Sequence, residues 1–119
     1  MSTTTTLGAT VRAVRFDSDA DDCWDWLTHP RRAMAVDIET SGLKWTDEVR
    51  LVQLGDCQGG WAIDPKQYPA LIDRALLRAD RLVVHSAGFD LPRLARLFGD
   101  GDPKAYLDGL ARKTLDTRL

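Results

Sequence analysis

Apolar positions alternate or run in short blocks through the first half of the chain and take helical spacing in much of the second. Val11, Ala13, Val14 and Phe16 stand among arginines, which predicts a strand from Thr10 to Phe16. Asp17 or Ser18 can then cap a short helix through Trp24, Trp26 and Leu27, ended by His29-Pro30. Met34, Ala35, Val36 and Ile38 make a second strand, Ala33 to Glu39, which Ser41-Gly42 breaks. A third strand, Val49 to Gly55, and a fourth, Trp61 to Ile63, flank Gly59-Gly60 as an antiparallel hairpin closed by Pro65. Leu71, Ile72, Ala75 and Leu76 give helical periodicity from Pro69 to Arg78. A short buried strand lies within Arg81 to His85, and a helix from Leu91 to Phe98 ends at Gly99. A last helix, Pro103 to Ala111, leads to a strand at Lys113-Thr114-Leu115.

A meander of strands followed by helix, strand and helix is the order of an α/β sheet of mixed direction. No repeat, low-complexity tract beyond the threonines, or linker divides the 119 residues, so one domain is expected over 9–119, with 1–8 a flexible tail. With 44% hydrophobic and 29% charged residues the composition is that of an ordinary folded domain. No apolar run approaches the roughly 20 residues that cross a bilayer, so no membrane partner is expected. Cys23 and Cys57 are isolated and read as reduced thiols of a cytoplasmic protein. The net charge of −2 hides an asymmetry: 10 acids face 6 bases over residues 1–60, but 8 acids face 10 bases over 61–119. Arg74, Arg78, Arg81, Arg93, Arg96, Arg112, Lys113 and Arg118 offer either a mildly basic face for phosphates or a solvated surface.

The sharpest chemical signal is Asp37-Ile38-Glu39-Thr40 at the end of a predicted central strand. Alternate side chains share a face, so Asp37 and Glu39 project together, about 7 Å apart along the strand. Two ionised carboxylates there repel one another unless a cation relieves them, and oxygen-only ligands favour Mg²⁺ or Mn²⁺. The plain alternative is a strand end whose polar residues face water. A second signal is His85-Ser86-Ala87-Gly88-Phe89-Asp90-Leu91, where a buried strand turns into a helix. Asp90 can be a helix cap. Strand ends and helix starts at one sheet edge also converge on a crevice, which would bring Asp90 to the same ions as Asp37 and Glu39.

Together these segments resemble the 3′–5′ exonucleases named for their Asp-Glu-Asp-Asp site, most closely the proofreading exonuclease domains of bacterial and phage family A DNA polymerases. The first motif is Val36-Asp37-Ile38-Glu39-Thr40-Ser41-Gly42-Leu43, followed by the hairpin Val49–Leu54 and Trp61-Ala62-Ile63-Asp64-Pro65. The second is Leu82-Val83-Val84-His85-Ser86-Ala87-Gly88-Phe89-Asp90-Leu91, where the family often has Asn at the position of Ser86. Lys113-Thr114-Leu115-Asp116-Thr117-Arg118-Leu119 resembles the strand-to-helix junction that follows. The resemblance implies a ribonuclease H-like α/β fold, a mixed sheet flanked by helices and incomplete at its C-terminus. It implies two divalent cations, Mg²⁺ or Mn²⁺, held by Asp37, Glu39 and Asp90 as metal ligands and catalytic residues. Thr40 and Leu43 are then expected to contact the terminal nucleotide of a single-stranded DNA 3′ end, with RNA the lesser expectation.

The family's third motif, a fourth carboxylate preceded by Tyr or His, is absent from residues 1–119. Tyr68 is followed four residues on by Ile72 and Tyr106 by Leu110, while His85-x4-Asp90 uses a carboxylate the second motif already claims. Asp116 stands where the family usually has no ligand. The expected partners are therefore a polymerase domain or a completing C-terminal segment. Two other readings stay open: a catalytically inactive nucleic-acid-binding remnant of the fold, and a small α/β interaction module whose acids face solvent.

Overall fold

A computed structural model describes residues 3–6 and 9–118 of the chain. In chain order the elements are β1 (Thr3–Thr6), β2 (Ala9–Ala13), α1 (Asp17–Leu27), β3 (Met34–Thr40), β4 (Val49–Asp56) and β5 (Gly59–Ile63). There follow α2 (Pro69–Arg78), β6 (Leu82–Val84), α3 (Ala87–Phe98), α4 (Pro103–Arg112) and β7 (Thr114–Asp116). The strands form one mixed sheet in the order β1-β2-β5-β4-β3-β6-β7. β3, β4 and β5 are the expected antiparallel meander, whereas β6 lies parallel to β3 and β7 parallel to β6. Parallel neighbours need a crossover, and α2 and α3 supply a helix on each of the routes into β6 and β7.

The tail expected over residues 1–8 lies partly outside the described residues. Within it, Thr3–Thr6 pairs antiparallel with β2. A threonine run lacks the apolar alternation that signals a strand, yet β-branched residues fit an extended edge well.

Alternation along β3 sets the two faces of the sheet. Met34, Val36 and Ile38 are buried, while Ala35, Asp37 and Glu39 are exposed. The buried set joins Val52, Leu54, Ile63 and Val84 in one core with Cys23 and Leu27 of α1, Ile72 and Leu76 of α2, Leu91 and Leu94 of α3, and Leu110 of α4. Each such Leu or Ile contributes about 1.5–3 kcal/mol by leaving water. The face that carries Asp37 has no comparable cover among the described residues. A register shift beyond Glu39, where Thr40 pairs with Val49 and Glu39 with Leu51, leaves Arg50 as the extra residue and returns Val49 to the core.

The helix ends are fixed by partners distant from the local pattern. The sequence offers Asp17 or Ser18 as the cap of α1, but the cap position is Phe16, and Asp19 reaches back to accept from the Arg15 and Phe16 amides. Asp19 also takes the Arg12 guanidinium at 2.6 Å, and these donors hold its carboxyl at about 2. At the other end of the core, the Lys113 ammonium donates to the Leu76 and Ala79 carbonyls and closes α2.

A carboxyl held below its unfolded value stabilises the fold above pH 4 and loses that contribution as pH falls through 2. Asp19→Asn should therefore lower the melting temperature by several degrees at pH 7, and the gap to the parent should narrow between pH 4 and pH 2 in thermal melts.

Candidate active site

The site forms where β3, the loop 41–48 and the start of α3 meet. β3 presents Asp37 and Glu39 on the open face of the sheet. Asp90 comes from the first turn of α3 and is 4% exposed, with its Oδ2 buried and unpartnered. It is therefore not the helix cap that its sequence position allows.

The cap is Asp116, from the end of β7. Its two oxygens accept from the Ser86 amide at 3.0 Å, the Ala87 amide at 2.9 Å and the Arg118 amide at 2.9 Å. These donors hold its carboxyl below the usual range. These three amides give Asp116 a structural task at the start of α3. Ser86 makes the turn into α3 with φ 65° and ψ 60°, the left-handed region that Asn tolerates better than Ser. The Asn frequent at this position in the resembling family suits that conformation. The α3 start, and with it Asp90, is aimed by this turn and its cap.

Burial first, and the neighbouring Asp37 carboxylate second, push the Asp90 carboxyl up to about 7 against the opposing pull of the Ile38 amide and Arg93. Asp37 and Asp90 thus stand within electrostatic reach across the β3 backbone. Glu39 shares the face of Asp37. Among the described residues no three Asp, Glu, His or Cys side chains stand close enough together to hold an ion. Even so, the donor set fits a hard cation: Asp90 keeps a buried oxygen with no partner, and a cation there would relieve both its desolvation and its repulsion with Asp37.

Beside Asp37 lies a cleft of about 340 Å³ on the open sheet face, lined by Asp37, Gln53, Gly55, Gly60, His85 and Thr117 among others. Gly55 pairs in register with Gly60, and a Cβ at Gly60 would meet the Leu54 carbonyl oxygen at 2.4 Å, so close strand approach keeps this floor flat. His85 stands at the rim with Nδ1 3.1 Å from the Thr117 hydroxyl.

Thr40 donates its hydroxyl to the Gly42 carbonyl at 2.5 Å. Leu43 is 85% exposed. The loop is folded on itself: the Asp47 carboxylate accepts from the Lys44 amide, the Ser41 hydroxyl accepts from the Glu48 amide, and a Cβ at Gly42 would displace the Asp47 carboxylate from its place. Arg93 and Arg96, whose part in this site the sequence did not reveal, bind the loop from α3 through the carbonyls of Leu43, Trp45 and Asp47.

A family model described as 3′-5′ exonuclease matches residues 15–118. The chain belongs to the 3′-5′ exonuclease family. It is 30% identical over 116 residues to the DNA polymerase of Mycobacterium phage L5, a match covering 92% of this chain and 19% of the polymerase. The catalytic core of RRP6 from Trypanosoma brucei superposes with a TM-score of 0.67 at 18% identity, over 97% of this chain and 31% of that one. Escherichia coli RNase D, whose structure is described as that of an exoribonuclease involved in structured RNA processing, gives 0.55 at 24% identity over 73% of this chain and 24% of that one. These likenesses establish the expected ribonuclease H-like α/β fold. The chain spans about a fifth of the curated polymerases it matches. No helix among the described residues is long and apolar enough to cross a membrane.

A buried acid whose folded value exceeds its unfolded one favours the fold below the unfolded value and loses that advantage as pH rises through 7. Asp90→Asn should therefore raise the melting temperature in EDTA at pH 8, corresponding to about 2–4 kcal/mol, and bring no gain at pH 4.

Proposed function

We propose that this chain is the N-terminal part of an exonuclease domain that removes nucleotides from the 3′ end of single-stranded DNA in a proofreading role. The observation that carries the proposal is the pairing of Asp37 with a buried, partly orphaned Asp90 beside an open cleft. Asp37, Glu39 and Asp90 would hold two divalent cations, Mg²⁺ or Mn²⁺. When bound, such ions supply an activated water and stabilise the leaving 3′ oxygen. The chain's own part is to present the two strand carboxylates on the open sheet face, to keep Asp90 from bulk water and to seat the terminal nucleotide against Thr40 and Leu43. The similarity to a phage DNA polymerase supports DNA as the substrate, and a polymerase domain as the partner. RNA is the second substrate reading, favoured by the fold's likeness to RNase D. A fourth carboxylate from a completing segment would finish the site, since Asp116 is committed to the α3 cap.

One observation favours a different reading, a nucleic-acid binder without catalysis: no three candidate ligands converge among the described residues. Calorimetry with Mn²⁺, run beside a labelled 3′-end cleavage assay, separates the two. The exonuclease reading expects saturable Mn²⁺ binding that Asp37→Ala weakens by at least the roughly 10- to 100-fold that losing a supporting group costs a metal site. It expects any cleavage to disappear with Asp37→Ala. A folded chain that binds single strands but takes up no Mn²⁺ would leave only the binder.

A further inference from the structure

Loop 41–48 carries two large apolar side chains in the open, Leu43 at 85% and Trp45 at 48% exposure. Arg96 donates to the Trp45 and Asp47 carbonyls, and its guanidinium lies 4.5 Å from the centre of the Trp45 ring. Arg93 is buried with an unpartnered Nε; it donates to the Leu43 carbonyl and reaches within 5.2 Å of the Trp45 ring and 3.6 Å of Phe89. Phe89 and Arg93 flank Asp90 on α3, so this cluster is continuous with the carboxylates. Among the loop's own acids, Glu48 is paired with Lys66 and Asp47 is turned back onto the Lys44 amide. Arg93 and Arg96 put two guanidinium groups beside the ring.

A fixed indole beside guanidinium groups is the chemistry that stacks a nucleobase and meets its phosphate. We propose that Trp45, held by Arg93 and Arg96, is the stacking platform for a base of a single-stranded nucleic acid whose 3′ end lies at Asp37 and Asp90. The proposal rests on the exonuclease reading for the placement of that 3′ end. Stacking accepts any base, so DNA and RNA strands share the platform, and the sugar is discriminated elsewhere.

The test is fluorescence anisotropy with short 5′-labelled DNA and RNA strands in EDTA, using the full chain, Trp45→Ala, Trp45→Phe and Arg96→Gln. The same strands carrying abasic sites serve as the control. Trp45→Ala should weaken binding about 5- to 100-fold on normal strands and little on abasic ones. Trp45→Phe should retain most of the affinity, and Arg96→Gln should lower the slope of log affinity against log salt by about one. Equal affinity of Trp45→Ala and parent on normal strands, with matching thermal melts, overturns the platform, as does an equal loss on normal and abasic strands. Cleavage assays keep the two readings apart. Metal-dependent cleavage with a KM unmoved by Trp45→Ala sinks the platform alone. Base-dependent binding through Trp45 in a chain that takes up no metal sinks the exonuclease reading alone.

Discussion

A carboxyl group buried beside a second carboxylate is the constraint on which this structure turns. Asp90 loses its water, faces Asp37, and gains only one backbone amide and a nearby guanidinium in return. An ordinary domain would place a neutral side chain there, because an unpaired buried charge is among the costliest things a fold can carry. The strain is local to one side-chain pair, and the rest of the domain is arranged to maintain it. β3 has its core face filled with Met34, Val36 and Ile38, which fixes Asp37 and Glu39 on the other side. A one-residue slip of that strand would bury both acids, so the core enforces the register.

The second half of the arrangement is the placement of α3. Ser86 takes a left-handed turn that only an external acceptor makes worthwhile, and Asp116 provides it with two carboxylate oxygens. β7 thereby acts at a distance on the site: its last residue sets where α3 begins and hence where Asp90 points. From the opposite side, Arg93 and Arg96 tie loop 41–48 to α3, which links the exposed loop side chains to the helix that carries Asp90. Preorganisation of this kind lowers the ordering cost of any ligand that bridges them.

The strands and helices were legible because their signals are local. Alternation placed Asp37 and Glu39 on one face, and the periodicity of Leu71, Ile72, Ala75 and Leu76 marked α2 to its ends, Pro69 and Arg78. What stayed illegible depends on contacts between distant residues. Asp90 looked like the cap of a helix beginning at Leu91, because its rival Asp116 lies 30 residues from Ser86 in the chain. The α1 cap was misread for a smaller reason: Asp17 and Ser18 are good cap residues, but Asp19 with Arg12 behind it is the better-supported acceptor. Trp45 carried no signal in a stretch without periodicity, and the arginines that hold it lie about 50 residues on. Thr3–Thr6 had β propensity but no alternation.

The most direct test is an NMR titration of the Asp90 side-chain carboxyl, with and without Mg²⁺. The account predicts a midpoint near 7 in EDTA that falls by more than about one unit when Mg²⁺ is added. A midpoint in the ordinary carboxylate range, or one near 7 that Mg²⁺ leaves unmoved, would contradict it.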